Sequence, residues 1–225
     1  MPITWILLII AIIIPICAHL MLKATFSKYL KVDSAKGITG AMVAQSMLAN
    51  NGIHDVRIEM TPEKLSDHYD PKSKAVRLSP DVYSGTSLAA LGVAAHEVGH
   101  AVQHNNGYFP LEFRSTLVPV ANIGSMAAFP VIIAGFIFSS SGLVNVGILL
   151  FAAVLAFQIV TLPVEFNASS RAIGQLQNQG FIGPEEVSGV QKVLTAAALT
   201  YVAAVLVTIL ELVRLLIISK LLGDD

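Results

Sequence analysis

Cysteine and charged side chains are scarce in this sequence. The single cysteine, Cys17, lies in an apolar run, which excludes a disulfide framework and a cysteine-rich metal site. Charged residues make up 13% of the 225 residues, against about 25% in soluble domains. The net charge of -1 lacks the basic excess of nucleic-acid-binding proteins, so we expect no nucleic acid as a partner. Hydrophobic residues form 54% of the chain, which predicts a protein that contacts the lipid bilayer.

Four apolar stretches are long enough to cross a bilayer, which takes about 20 residues in a helix. They lie at residues 3–22, 117–138, 143–162 and 194–218. The first stretch has no basic residue before it and no small-residue cleavage site after it, so we expect an uncleaved anchor rather than a signal peptide. The second and third stretches are joined by a very short turn, which predicts an antiparallel hairpin.

Basic residues predict the orientation of these spans. Lys23, Lys28 and Lys31 follow the first span closely, whereas no Lys or Arg precedes it. Because cytoplasmic segments carry the excess of Lys and Arg, we expect the segments 23–116 and 163–193 in the cytoplasm and both termini outside. The predicted organisation is a first transmembrane helix (1–22), a cytoplasmic α+β unit (23–116), a transmembrane hairpin (117–162), a separate cytoplasmic helix (163–193) and a fourth transmembrane helix with its tail (194–225). The predicted location is the plasma membrane of a bacterium.

The segment 94–101 contains the pattern H-E-x-x-H. In a helix, residues four apart share one face, so His96 and His100 can direct two imidazoles at one metal ion. Glu97 stands next to them, where it can hold and deprotonate a water. This arrangement is typical of zinc metalloproteases, and two histidines on the polar stripe of a helix are the alternative. We expect the helix to be capped at Asp81 or within 84–86, and to end at 105–107.

The segment 23–116 predicts a small α+β unit around this motif. Residues 41–48 predict an amphipathic helix with a capped start, and the runs 54–60 and 74–78 are strand-like. The turn-rich segment 61–73 separates the two strands. Because the strand at 74–78 precedes the motif helix, we expect it to pair with an extended peptide substrate.

A catalytic zinc needs a third protein ligand. His104 lies one further turn along the helix, but three histidines at that spacing extend over roughly 12 Å, and each metal–nitrogen bond is only about 2.1 Å long. His104 therefore cannot join His96 and His100 on one ion. Glu165 directly follows the third span, where a carboxylate is costly unless it is paired or ligating. From the residues alone, a solvated carboxylate at a helix start is an equal interpretation, and His19, His54 and His68 are further candidates.

Four motifs in this order resemble the YugP-type membrane zinc metallopeptidases, which are related more distantly to HtpX-type and CAAX prenyl proteases. The motifs are GITG (37–40), SDHYDP (66–71), AAHEVGHAVQH (94–104) and PVEFNASSRA (163–172). The resemblance covers most of the chain. It implies a gluzincin-type site with one Zn²⁺ per chain, in which His96 and His100 are ligands, Glu97 is the general base and Glu165 is the third ligand.

One position departs from the HtpX-type relatives. Four residues after the ligand Glu they have an Asp that orients a zinc histidine, whereas this chain has Ser169. A hydroxyl can accept the same hydrogen bond without adding a charge, and Asn167 or Arg171 are further candidates for this role. For the oxyanion of the transition state we expect a donor among His68, Tyr69 and Arg171.

These observations predict a mainly α membrane protein, with four transmembrane helices and a small cytoplasmic α+β catalytic unit of zincin-like type. The predicted function is that of a zinc endopeptidase that cleaves membrane-proximal or misfolded polypeptides. One alternative is a non-catalytic membrane scaffold that retains a metal site. Another is an intramembrane protease of the site-2 type, although the chain lacks the second motif of those enzymes. A membrane-protein partner and a homo-oligomer both stay open.

Overall fold

The computed structural model of the protein describes residues 2–223, which form mainly helices and one small sheet. The elements in chain order are α1 (Pro2–Tyr29), α2 (Gly40–Asn50), β1 (Arg57–Met60), β2 (His68–Asp70), β3 (Ala75–Leu78), α3 (Pro80–Tyr83), α4 (Leu88–Asn105), α5 (Phe109–Ile137), α6 (Ser141–Asn178) and α7 (Pro184–Gly223). The chain divides into two compact units. We call them the apolar unit, of residues 1–19, 113–162 and 199–225, and the α+β unit, of residues 20–112 and 163–198.

Among the described residues, four helices are long and apolar enough to cross a membrane, namely α1, α5, α6 and α7. They contain the four predicted apolar stretches. Within the apolar unit, α5 and α6 pack closely as an antiparallel pair because glycines stand at their contacts. A Cβ at Gly124 would lie 2.8 Å from the carbonyl oxygen of Leu150, and a Cβ at Gly135 would lie 2.8 Å from the amide nitrogen of Val144. Small residues of this kind let membrane helices approach each other.

Helices α6 and α7 extend well beyond their apolar stretches. We expected a separate helix within 163–193, but α6 continues through Pro163 to Asn178 and α7 begins at Pro184. Proline removes one helical hydrogen bond and usually ends or bends a helix. Burial favours continuation here, because one face of the extension is fully enclosed. Its buried side chains are Val164, Ala168, Ala172 and Leu176.

The core of the α+β unit forms where α2, α4 and the sheet meet. Thr39 caps α2, since its hydroxyl accepts a hydrogen bond from the amide of Met42 at 3.3 Å. This confirms the capped start that the sequence predicts. The buried core side chains of these elements include Val43, Met47, Leu48, Val76, Leu78, Leu91, Val98 and Val102.

The sheet differs from the prediction in two respects. Its order is β1-β3-β2, with β3 parallel to β1 and antiparallel to β2. Strand β2 lies in the segment predicted to be turn-rich. It was not predicted, because three residues are too few to show an alternating pattern. The expectation that β3 pairs with a substrate is wrong, since both of its edges already have partners. The free edges of this sheet belong to β1 and β2.

The helix with the H-E-x-x-H pattern also begins later than predicted. A separate short helix, α3, occupies residues 80–83. Helix α4 then starts at Leu88, and its cap is Ser87, whose hydroxyl accepts a hydrogen bond from the amide of Ala90 at 3.2 Å. The expected cap at Asp81 or within 84–86 is therefore wrong. The predicted end is confirmed, because α4 ends at Asn105.

Asp70 supports the turn between β2 and β3 in a way that depends on pH. Its carboxylate accepts hydrogen bonds from the hydroxyl of Ser73 at 2.6 Å, from Arg77 Nη1 at 3.1 Å and from the amide of Lys72 at 2.9 Å. The bonds from Ser73 and Arg77 are the main reasons that the pKa of Asp70 lies well below its usual range. The folded state therefore favours the carboxylate over the acid. Its stabilisation is complete above the ordinary pKa of about 3.9 and is lost as the pH falls below it.

We expect Asp70→Asn to lower the melting temperature of the detergent-solubilised protein at neutral pH. The difference from the wild type should shrink as the pH falls below about 4, because the unfolded wild-type chain then binds a proton at this carboxyl while the folded chain still holds it ionised. Melting curves across this pH range measure it, with the exposed Glu63→Gln as the control. A difference that stays constant with pH would contradict the electrostatic explanation.

Candidate metal centre

Helix α4 places two histidines one turn apart near its C-terminal end. The rings of His96 and His100 lie with their centroids 4.7 Å apart and nearly perpendicular to each other. Both side chains are largely enclosed, because most of α4 is buried. The regular helix through the motif is what gives the two imidazoles a common direction.

Helix α6 contributes a carboxylate to the same point. Glu165 Oε2 lies 3.3 Å from His96 Nε2 and 3.6 Å from His100 Nε2, and the Glu165 side chain is only 3% exposed. Four donors around a tetrahedral zinc at about 2.1 Å lie about 3.4 Å apart. Because the two observed distances match this spacing, the three side chains could hold one metal ion.

A close helix crossing brings these donors together. A Cβ at Gly99 would lie 2.8 Å from the carbonyl oxygen of Ala168 and 3.2 Å from its Cα. Helix α4 therefore touches the backbone of α6 directly before His100, at a distance that only glycine allows. Glu165 lies one turn before Ala168 on α6, so this contact positions it opposite His96 and His100.

The other ring nitrogen of each histidine has a partner. Ser169 Oγ lies 3.1 Å from His96 Nδ1, and Gln103 Oε1 lies 3.0 Å from His100 Nδ1. Both Nε2 atoms are thus left to face Glu165. The hydroxyl of Ser169 stands where the sequence comparison placed it, but the role of Gln103 was missed. Its only sequence signal is its position three residues after His100, on the same helical face.

The carboxylates of Glu97 and Glu165 make the surroundings of the two histidines negatively charged. Glu97 is 8% exposed, and in the part of the chain that the structure describes its carboxylate has no hydrogen-bond partner. Burial disfavours a charge on His100, but its hydrogen bond to Glu165 and the nearby charge of Glu97 outweigh burial and raise the pKa of the imidazole. The pocket thus favours a positive charge at this point, as a cation site requires.

The remaining residues singled out in the sequence lie outside the three-donor cluster. Tyr69 on β2 contacts α4, since its hydroxyl lies 2.8 Å from His104 Nδ1. His68 is exposed, and its Nδ1 lies 2.7 Å from the carbonyl oxygen of Ser66. Arg171 Nε donates to Asn167 Oδ1 at 2.7 Å. Among the described residues, His96, His100 and Glu165 form the group that could hold a metal ion.

Comparison with known proteins agrees with this arrangement. Residues 4–220 match the profile of a family described as "Putative neutral zinc metallopeptidase". The chain belongs to this family. It is also 48% identical, over 89% of its own length and 89% of the other chain, to "Putative membrane protease YugP" of Bacillus subtilis (strain 168). No solved structure shows a significant match to the chain.

Membership of this zinc metallopeptidase family confirms the resemblance found in the sequence. The family description and the name of the relative indicate a protease role and association with a membrane. The four apolar helices agree with that association. The family's metal also agrees with a group of two imidazole nitrogens and one carboxylate oxygen, which is one of the donor sets that hold catalytic zinc.

We expect Gly99→Ala to weaken zinc binding by about ten-fold or more, because the new methyl group forces α4 away from the backbone of α6. Zinc affinity, measured by competition with a chelator, tests this. Gly174→Ala on α6 is the matched control, since a Cβ there meets nothing within 4 Å. That control should bind zinc normally and be slightly more stable, because alanine favours a helix by up to about 1 kcal/mol over glycine. Unchanged affinity in Gly99→Ala would show that the crossing does not position the donors.

Proposed function

We propose that the protein is a membrane-embedded zinc endopeptidase of gluzincin type. The convergence of His96, His100 and Glu165 beside the buried carboxylate of Glu97 is the observation that carries this proposal. The family description and the membrane protease relative support it. The proposed substrates are membrane-proximal or misfolded polypeptides, since the chain itself resides in a membrane.

In this proposal, Nε2 of His96, Nε2 of His100 and a carboxylate oxygen of Glu165 hold one zinc ion. A zinc ion bound there would lower the pKa of water to about 7 and would polarise the carbonyl of the scissile bond. Glu97 accepts the proton of the attacking water and delivers it to the nitrogen of the leaving amine. Its burial suits this task, and none of the described side chains forms a hydrogen bond with its carboxylate.

The number of protein donors favours catalysis over a purely structural site. Structural zinc sites are closed by four protein ligands and are usually rich in cysteine. The cluster here offers three donors, and Cys17 lies on α1 outside the group. The fourth position is thus open to water or to a substrate carbonyl.

We also propose that a donor among Tyr69 and His68 on β2 and Arg171 on α6 stabilises the oxyanion, with Tyr69 as the first candidate. Tyr69 reaches the metal-site helix through His104. Burial, with the charges of Asp55 and Asp70, raises the pKa of Tyr69, so that the phenol keeps its proton and can donate it in a hydrogen bond. The free edge of β2 is the proposed docking edge for an extended substrate, since backbone pairing with an edge strand is a common way to hold a peptide.

The α+β unit is proposed to face the cytoplasm. Lys23, Lys28 and Lys31 lie at the end of α1 or directly after it. Basic residues flanking a span favour the cytoplasmic side. This orientation would give the site access to the cytoplasmic segments of membrane proteins.

Metal content tests the ligand set. The full-length protein, purified in detergent, should contain about one zinc per chain, and Glu165→Ala should lose most of it because two ligands hold zinc far more weakly than three. The exposed Glu185→Ala is the control and should retain the metal. Zinc retained in Glu165→Ala would place the third ligand elsewhere, and a wild-type chain without zinc would overturn the proposal.

Glu97→Gln separates catalysis from metal binding. The amide cannot accept the proton of the water, so we expect cleavage of an unfolded, fluorescently labelled polypeptide to fall by about 10²–10⁴-fold. Zinc content should stay at the wild-type level, since Glu97 is not among the three donors. Glu185→Gln is the control for the loss of one carboxylate. Full activity in Glu97→Gln would exclude its role as general base.

A further inference from the structure

We infer that Gln103 positions two of the proposed zinc ligands at once, His100 through its ring and Glu165 through its helix. The inference rests on the zinc site proposed above. Gln103 is fully buried at 0% exposure, although it is a polar residue. A buried amide is costly unless its oxygen and nitrogen both have partners. The partners of Gln103 therefore show what the residue does.

The first partner is His100, on the same helix. Gln103 Oε1 lies 3.0 Å from His100 Nδ1. An amide oxygen only accepts hydrogen bonds, so this contact requires a hydrogen on Nδ1 and leaves the lone pair of the neutral ring on Nε2. Nε2 is the atom that faces Glu165, at 3.6 Å. Gln103 thus selects the form of His100 that can bind a metal through Nε2.

The second set of partners lies on α6 and flanks Glu165. Gln103 Nε2 donates to the carbonyl oxygen of Val164 at 2.8 Å and to Asn167 Oδ1 at 3.0 Å. Val164 directly precedes Glu165 and Asn167 follows it by two positions. One amide group therefore holds the helical turn that carries the third donor.

The contact with His100 and the contacts with α6 together allow only one orientation of the Gln103 amide. A backbone carbonyl can only accept, so the amide nitrogen of Gln103 must face Val164. The amide oxygen must then face His100, and no rotation of the amide satisfies both sides in another way. Asn167 Oδ1 also accepts from Arg171 Nε at 2.7 Å, which keeps the oxygen of Asn167 directed at this point. These hydrogen bonds thus connect the guanidinium of Arg171 on α6 with the Nδ1 atom of His100 on α4.

A purely structural role for Gln103, as a polar link between two helices, is the competing explanation. Gln175 offers a matched control for it. Its side chain also links two elements of the α+β unit, since Gln175 Oε1 accepts from Asn51 Nδ2 at 2.7 Å. It contacts none of the three metal donors. If Gln103 served only as a link between two helices, Gln103→Met should therefore change zinc affinity no more than Gln175→Met does.

The test compares Gln103→Met, Gln103→Glu and Gln175→Met in the full-length protein in detergent. Zinc affinity is measured by chelator competition, and the ring form of His100 by ¹⁵N NMR of histidine-labelled, zinc-free protein at alkaline pH. We expect Gln103→Met to bind zinc about 10–100-fold more weakly and to lose the preference for hydrogen on Nδ1. Gln103→Glu keeps an acceptor for Nδ1 and should keep that ring form, with part of the zinc affinity restored. Gln175→Met should match the wild type in both measurements.

The inference would be overturned if Gln103→Met bound zinc as tightly as Gln175→Met and kept His100 in its wild-type ring form. A lower melting temperature alone does not support it, because a structural link would have that effect too. The NMR measurement needs no metal, so it tests the contact with His100 separately from the proposed zinc site. A wild-type chain that binds no zinc would overturn the proposed function, whereas an altered ring form in Gln103→Met would still support the contact.

Discussion

The close contact of α4 and α6 at Gly99 and Ala168 is the constraint on which the metal site depends. The two histidines belong to α4 and the carboxylate to α6, so neither helix forms the site alone. The backbones meet where a Cβ would lie only 2.8 Å from a carbonyl oxygen. A wider crossing would separate donors whose spacing must match metal bonds of about 2.1 Å. The glycine within the motif is therefore as important to the proposed site as the three residues that could hold the metal.

The hydrogen-bond partners of the two histidine rings are uncharged side chains, so they add no charge to the site. Glu97 and Glu165 together bring two negative charges, which equal the charge of one zinc ion. Ser169 and Gln103 contact the histidine rings without adding a third negative charge. Since uncompensated charge is expensive inside a protein, a hydroxyl and an amide suit an enclosed centre of this kind.

The sequence predicted the local features of the site well and its long-range features poorly. The histidine spacing is readable because a helix repeats over a few residues, and the apolar spans are readable from composition. Glu165 was ambiguous from the residues alone, because what joins it to the motif is a tertiary contact. Strand β2 was missed because three residues show no period, and its pairing depends on β3. The passage of α6 through Pro163 reflects buried contacts, which outweighed a local rule about proline. The partners of Gln103 on α6 could likewise not be read from its position on α4.

The continuity of α6 has a consequence for the order in which the parts of the proposed site are synthesised. Glu165 lies on the same helix as an apolar span, just beyond Pro163. During synthesis the histidine motif leaves the ribosome well before this helix does. The proposed site thus stays one ligand short until the later span has been made. A truncated or arrested chain would carry the recognisable motif without the third donor, and hydrolytic activity would be delayed until the third span has been synthesised.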